Sequence, residues 1–412
     1  MGRRVRRVRA VLTVLVAWLS LVGGGTAWAG VEEISALRLE APTAIGPGVT
    51  YRGFSLNGSH GPAYGHLLTV DLSNQRVSVD LLYPGVVGGR ERVSRLADQR
   101  SAVGAVNGDF FNIVEAQHPG VEATGAPVGP AVAGGRSLKA AVPDGQRFGP
   151  AMPPGVSTQD VFGVGTNRVG RMDRLALEGS VRTDEEEWSL SGFNQYALPV
   201  DGIGAFTPTW GRTSRLRATC GTDTDRGAPC SDDTFEVTVR RGRVASVADK
   251  PGRGAIADGS VVLVGREEGA RELRKLEVGD RVTVEQRLRP GGSGAFRFAI
   301  GGFPILRGGR PLVGLDLATA AVRTAAGLAD RGRRLYLLAL DGGRDYRSGL
   351  TIAELARTMR KVGAVDAFNL DGGGSSTLVT RGRGSARATV RNHPSGGAER
   401  PVANGIGVFI RR

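Results

Sequence analysis

Two Asp-Gly turns, each closing an apolar run, constrain this chain more than any other feature. Leu335-Tyr336-Leu337-Leu338-Ala339-Leu340 leads into Asp341-Gly342-Gly343, and Ala367-Phe368-Asn369-Leu370 leads into Asp371-Gly372-Gly373-Gly374-Ser375-Ser376. A helix is marked between them. Thr351-Ile352-Ala353-Glu354 has the capping-box pattern, and Leu350 and Leu355 are placed for a hydrophobic staple. Ile352, Leu355, Ala356, Met359 and Val362 recur at helical spacing until Gly363 stops the run. The order strand, helix, strand predicts a crossover with parallel strands. Both carboxylates then sit at carboxyl ends of strands on one sheet edge, where open α/β sheets place ligands. Asp-Gly also simply makes turns after strands. Two of them on one edge, followed by a glycine-rich run, point to a reaction site.

The rest of the chain predicts a mixed fold, α+β or α/β, in which a central sheet carries the site on a βαβ unit. Leu68, Val70 and Leu72, then Val77, Val79 and Leu81, alternate around Ser73-Asn74-Gln75 and read as a β-hairpin. Ser94 to Arg100 reads as a short helix and Ala102 to Val106 as a buried strand, ending in Asn107-Gly108-Asp109-Phe110-Phe111-Asn112. Residues 118–155, rich in Pro, Gly and Ala, read as a long loop with short strands. An all-β insertion is expected over about 175–298, with strands at Phe235–Val239, Val244–Val247, Ser260–Val264 and Arg281–Gln286.

Composition places the chain outside the cytoplasm. Arg3, Arg4, Arg6, Arg7 and Arg9 precede an apolar run from Ala10 to Val22 and an Ala27-Trp28-Ala29 cleavage pattern, so residues 1–29 read as a secretory leader and 30–412 as the mature domain. An uncleaved anchor is the alternative, and the arginines do not decide between Sec and Tat export. Nothing later resembles a membrane span. Without those five arginines the formal charge falls from +14 to +9. The remaining arginines are scattered, with no basic stripe interleaved with aromatics, which argues against nucleic acid as a partner. A basic exported protein is still drawn to anionic wall polymers. Cys220 and Cys230, an even pair in an exported chain, are expected to be bridged. His60, His66, His118 and His393 show no zinc-motif spacing.

Asp341 and Asp371 are the leading catalytic candidates, with Asp109 and Asn107 beside them; Asn-Gly alone is also a hairpin turn. Gly372, Gly373, Ser375 and Ser376 offer close-approach amides and hydroxyls to an anion, although the run is neither a P-loop nor a dinucleotide fingerprint. Arg323, followed by Thr324, has the planar fork that suits phosphate. An aspartic-protease pair is excluded, because those acids come from separate lobes and these share one βαβ unit.

Together these stretches resemble the phosphodiester glycosidase family. The matching runs are Ala105–Asn112, Gly301–Leu306, Arg323-Thr324-Ala325, Leu340-Asp341-Gly342, Asn369–Ser376 and Arg400-Pro401-Val402-Ala403-Asn404. Two departures stand out: Val322 replaces the usual proline, and Gly343-Arg344 follows Asp341-Gly342 where Asp-Gly-Arg is commoner. The resemblance implies hydrolysis of a glycosyl-1-phosphodiester in a glycoconjugate or wall polymer, with water ending at the anomeric carbon. It carries over Asp341, Asp371 and Asp109 as catalytic residues, and Asn107, Arg323, Thr324, Gly372, Gly373, Ser375, Ser376 and Asn404 as substrate-binding ones. Either Asp341 or Asp371 can be base or nucleophile. No cofactor is demanded; a calcium ion on the acids stays open, as do the sugar, the stereochemical course and the oligomeric state. A wall-glycan binding protein without chemistry is the alternative class. A metal phosphodiesterase would want a His/Asp cluster that the sequence lacks.

Overall fold

The computed structural model describes Gly2, residues 36–343 and residues 348–411. The expected leader and Arg344 lie outside the described residues. The described residues from 36 onward form one compact unit.

The unit is mostly β, with few helices. Apolar alternation at period two dominates the sequence, and it folds into four sheets of nine, seven, five and five strands. Every described ladder is antiparallel except Gly192–Phe193 beside Ile203–Phe206. The expected balance of α and β is therefore corrected towards β. Beyond Ile352–Lys361, the described α-helices are only Val93–Gln99 and Glu268–Leu273.

The nine-stranded sheet carries the Asp-Gly turns. Thr324–Ala329 pairs antiparallel with Arg334–Leu340 on one side and with Asp366–Leu370 on the other. The two strands flanking the helix thus run the same way but do not touch, because Thr324–Ala329 lies between them. This corrects the simple βαβ picture. The backbones carrying Asp341 and Asp371 are two strand spacings apart, about 10 Å. The helix has the capping box read from the sequence: Thr351 Oγ1 accepts from the Glu354 amide, and Glu354 accepts from the Thr351 amide at 2.8 Å. Leu335, Leu337, Leu338, Leu340, Leu355, Met359 and Phe368 are buried in the main core.

A second correction concerns Leu68 to Leu81. Gly61–Asp71 belongs to the nine-stranded sheet, beside Arg334–Leu340, while Val77–Leu82 pairs with Gly405–Ile410 in a five-stranded sheet. The alternation is real, but two successive turns (Asn74 amide to Asp71 carbonyl, Val77 amide to Asn74 carbonyl) carry the chain between sheets. Arg168 donates to the carbonyls of Leu72, Asn74, Gln75 and Val77 and fixes that crossing. Between 175 and 298 the expected strands are present, and the Glu268–Leu273 helix, with Gly269 in its first turn, was not legible. Cys220 and Cys230 are bridged.

Candidate active site

Gly104–Asn107 is the central strand of the five-stranded sheet, and its last residue bolts that sheet to the nine-stranded one. The fully buried Asn107 donates from Nδ2 to the Asp371 carbonyl at 2.6 Å. Its Oδ1 accepts from the Thr324 hydroxyl at 2.9 Å and the Thr377 amide at 3.0 Å. The Asp371 amide donates to the Gly108 carbonyl at 2.8 Å, and the Gly108 amide to the Asn404 carbonyl at 3.0 Å. Asn404 Oδ1 then accepts the Asp109 amide at 2.9 Å. The Asn107 and Asp371 turns are thereby knitted together from opposite ends of the chain.

Asp109 is buried. Its Oδ2 accepts the Gly129 amide at 2.6 Å, and its Oδ1 has no hydrogen-bond partner. Asp371 is partly exposed. Burial of its carboxyl raises its pKa from 3.8 to about 7; the Asp109 charge adds to the rise, while Ser375, Arg400 and the Gly372 amide oppose it. The fold therefore favours the protonated carboxyl well above the ordinary carboxylate range. Arg400 is the cation on the glycine-rich turn: its Nη1 lies 3.4 Å from Ser375 Oγ, and a Cβ on Gly374 would fall 2.4 Å from its Nη2. A Cβ on Gly372 would fall 2.4 Å from the Val322 carbonyl, so the close approach needs glycine. The Gly373 amide donates to that same carbonyl, and the Ser375 and Ser376 amides close a 3₁₀ turn onto Gly372 and Gly373. Those three amides hold the turn's own shape instead of pointing at a ligand. The Ser376 hydroxyl lies 3.0 Å from that of Thr324.

Asp341 belongs to a different electrostatic neighbourhood. Three donors address its Oδ1: His66 Nε2 at 3.2 Å, the His393 amide at 2.6 Å and His393 Nδ1 at 3.0 Å. Burial pushes this carboxyl upward, but the bonds from His66 and His393 outweigh it and leave the pKa below its ordinary value. Asp341 is therefore ionised. The Tyr51 hydroxyl sits 2.7 Å from His66 Nδ1 and completes a chain of polar groups. Sequence spacing gave no hint of His66 and His393; His66 reaches Asp341 only because Gly61–Asp71 pairs with Arg334–Leu340, setting His66 opposite Ala339. Residues 392–395 join the Asp341 and Asp371 turns: the Gly342 amide donates to the His393 carbonyl, Ser395 Oγ to the Gly373 carbonyl at 3.2 Å, and Asn392 Nδ2 to the carbonyls of Leu340 and Ser376 at 3.3 and 2.8 Å.

Arg323 is placed differently from the expectation of a phosphate fork. Its Nε donates to the Leu350 carbonyl at 2.9 Å and its Nη2 to the Thr319 carbonyl at 2.6 Å, and burial lowers its pKa. It braces the loop ahead of the helix. For metals, the only His/Cys/acid group of three close enough to share an ion among the described residues is His118, Cys220 and Cys230. Its two sulfurs are joined in the disulfide, so it offers no thiolates.

The fold recurs in solved structures. A hypothetical protein from Synechocystis superposes with a TM-score of 0.69 at 21% identity, over 91% of this chain and 64% of that one. A protein described as exported, from Burkholderia pseudomallei K96243, gives 0.69 at 18%, over 92% and 97%. In sequence, residues 233–409 match the family model described as phosphodiester glycosidase. Over 75 residues the chain is 41% identical to the N-acetylglucosamine-1-phosphodiester alpha-N-acetylglucosaminidases of Bos taurus and Mus musculus. That stretch is 18% of this chain and spans only 13% of the relatives' length.

Proposed function

We propose that the protein is an extracytoplasmic hydrolase that cleaves a glycosyl-1-phosphodiester, releasing a sugar from a phosphorylated glycan or wall polymer. The observation that carries the reading is the pairing of a protonatable Asp371 with Asp109, beside Arg400 and Ser375, on a turn that belongs to the matched family region. The family description and the relatives' name supply the linkage class. The leader, the disulfide and the likeness to a protein described as exported support an extracytoplasmic setting.

Burial raises both neighbouring carboxyls, Asp109 to about 6 and Asp371 to about 7, so Asp371 is the one that holds a proton to higher pH and suits the acid role. A phosphodiester is itself anionic, so an ionised carboxylate beside it would repel it. A protonated Asp371 instead passes its proton to the departing phosphate oxygen as the bond breaks, a transfer an asparagine amide cannot make. Arg400 neutralises the same group through its guanidinium, and the Ser375 hydroxyl adds a donor. Water attacks the anomeric carbon, the bond from that carbon to the phosphate oxygen breaks, and a carboxylate takes the water's proton. This reading assigns that step to Asp109, whose Oδ1 has no hydrogen-bond partner. Asp341, ionised and oriented by two histidines, stabilises the positive charge growing at the anomeric carbon. Thr324, Asn107, Asn404 and Arg323 hold these groups in position. In the test, purified protein is incubated with N-acetylglucosamine 1-(methyl phosphodiester), and free sugar and methyl phosphate are measured. Asp109→Asn should lower turnover by about 10²-fold or more, and normal turnover in a folded variant would refute the assignment.

A further inference from the structure

Burial raises the Asp109 carboxyl from 3.8 to about 6, and the charge that most opposes this rise is that of Lys139, outside the turns that carry the acids. Lys139 ends the Arg136–Lys139 strand and is fully buried. Its Nζ donates to the Gly129 carbonyl at 2.6 Å and the Val128 carbonyl at 3.1 Å, with the Ala140 carbonyl as third acceptor. Three carbonyl acceptors call for three N–H donors, which an ammonium has and a neutral amine lacks. Burial works against that charge, pulling Lys139 down, and the Asp109 charge works for it. A buried cation needs a nearby anion. Gly129 links the two, offering its carbonyl to Lys139 and its amide to Asp109 Oδ2.

We infer that Lys139 is a positioning residue: through the Gly129 peptide and its own charge it keeps Asp109 ionised, which makes Asp109 the base and leaves the proton on Asp371. The catalytic meaning rests on the hydrolase reading above; the pairing itself does not. The other groups facing Asp109 fit this arrangement. Arg147 adds positive charge while its guanidinium lies over the Phe110 and Phe303 rings. Tyr196 donates its hydroxyl to the Gln146 carbonyl at 2.8 Å, and burial pushes it up, so it stays neutral. Asp371 is a like charge, and two neighbouring carboxyls resist ionising together.

Lys139→Met removes the cation and keeps the length. With N-acetylglucosamine 1-(methyl phosphodiester), the acidic limb of kcat/KM should move up by roughly one pH unit or more, with KM little changed. An unmoved limb overturns the inference. A second readout needs no substrate: Lys139→Met and Asp109→Asn should each lower the melting temperature, and the double variant should recover much of the loss. Additive losses overturn it. If Lys139→Met does not fold, Asp109→Asn decides alone. Its lone buried lysine holds a proton less well than in wild type, where its pKa is about 7, so the deficit against wild type grows as pH falls below about 7, and a deficit independent of pH refutes the pairing. Wild-type protein that is inactive on the substrate yet shows the coupling would defeat the hydrolase reading and leave the pairing standing.

Discussion

Asp371→Asn separates stability from chemistry. The carboxyl's pKa is raised from 3.8 in the unfolded chain to about 7 in the fold, with burial the main cause. A raised folded-state pKa means the folded protein holds a proton that the unfolded chain releases. Stability is then full below about pH 4, falls as pH rises towards 7, and levels off beyond. At about 1.4 kcal/mol per unit the full shift would be about 4 kcal/mol. Water reaches the partly exposed side chain, so about half of that, roughly 2 kcal/mol, is the working figure. Asparagine keeps the shape and cannot ionise. The variant should therefore match wild type near pH 4 and melt a few degrees higher at pH 8, while its turnover drops by several orders of magnitude. Thermal melts by circular dichroism at both pH values, with the hydrolysis assay at pH 6, provide the check. Wild-type turnover should also decline above about pH 7 as Asp371 ionises. A variant with no stability advantage over wild type at pH 8, or one that keeps its turnover, would refute the reasoning.

The remaining expectations follow from single contacts. Arg400→Lys keeps the charge but loses the fork, so KM should rise about tenfold with kcat less affected; Arg323→Lys should instead lower the melting temperature and leave KM alone, because its donors hold carbonyls. His66→Phe removes one of the bonds to Asp341 and should reduce kcat roughly tenfold or more, measured at saturating substrate. Replacing Cys220 and Cys230 by Ser opens a loop of sequence separation 10 and should destabilise by about 2–3 kcal/mol in chain-entropy terms, with activity per folded molecule unchanged.

What the sequence made legible was local. The capping box of Thr351 and Glu354, the stop at Gly363, the Asp-Gly turns and the cysteine pair each depend on residues close along the chain, and each stands in the structure as read. Long-range pairing was hidden. Nothing near Leu340 announces that Thr324–Ala329 inserts between the two strands, since its Ala-rich pattern carries no directional signal. The Leu68 to Leu81 alternation fits a hairpin equally well as two strands in separate sheets; period two fixes which face is buried, not which neighbour is chosen. His66 lies 275 residues from Asp341, and only sheet register joins them. Arg323 looked like a phosphate ligand because its residue type suits one. Its actual partners are the carbonyls of Leu350 and Thr319, which no side-chain pattern encodes.

The central claim is that water attacks carbon, not phosphorus. Hydrolysis of N-acetylglucosamine 1-(methyl phosphodiester) in ¹⁸O-labelled water, with both products analysed by mass spectrometry after a single turnover, tests it directly. The account predicts the label at the anomeric hydroxyl of the free sugar and unlabelled methyl phosphate. Label in the phosphate would mean cleavage of the phosphorus–oxygen bond and would contradict it.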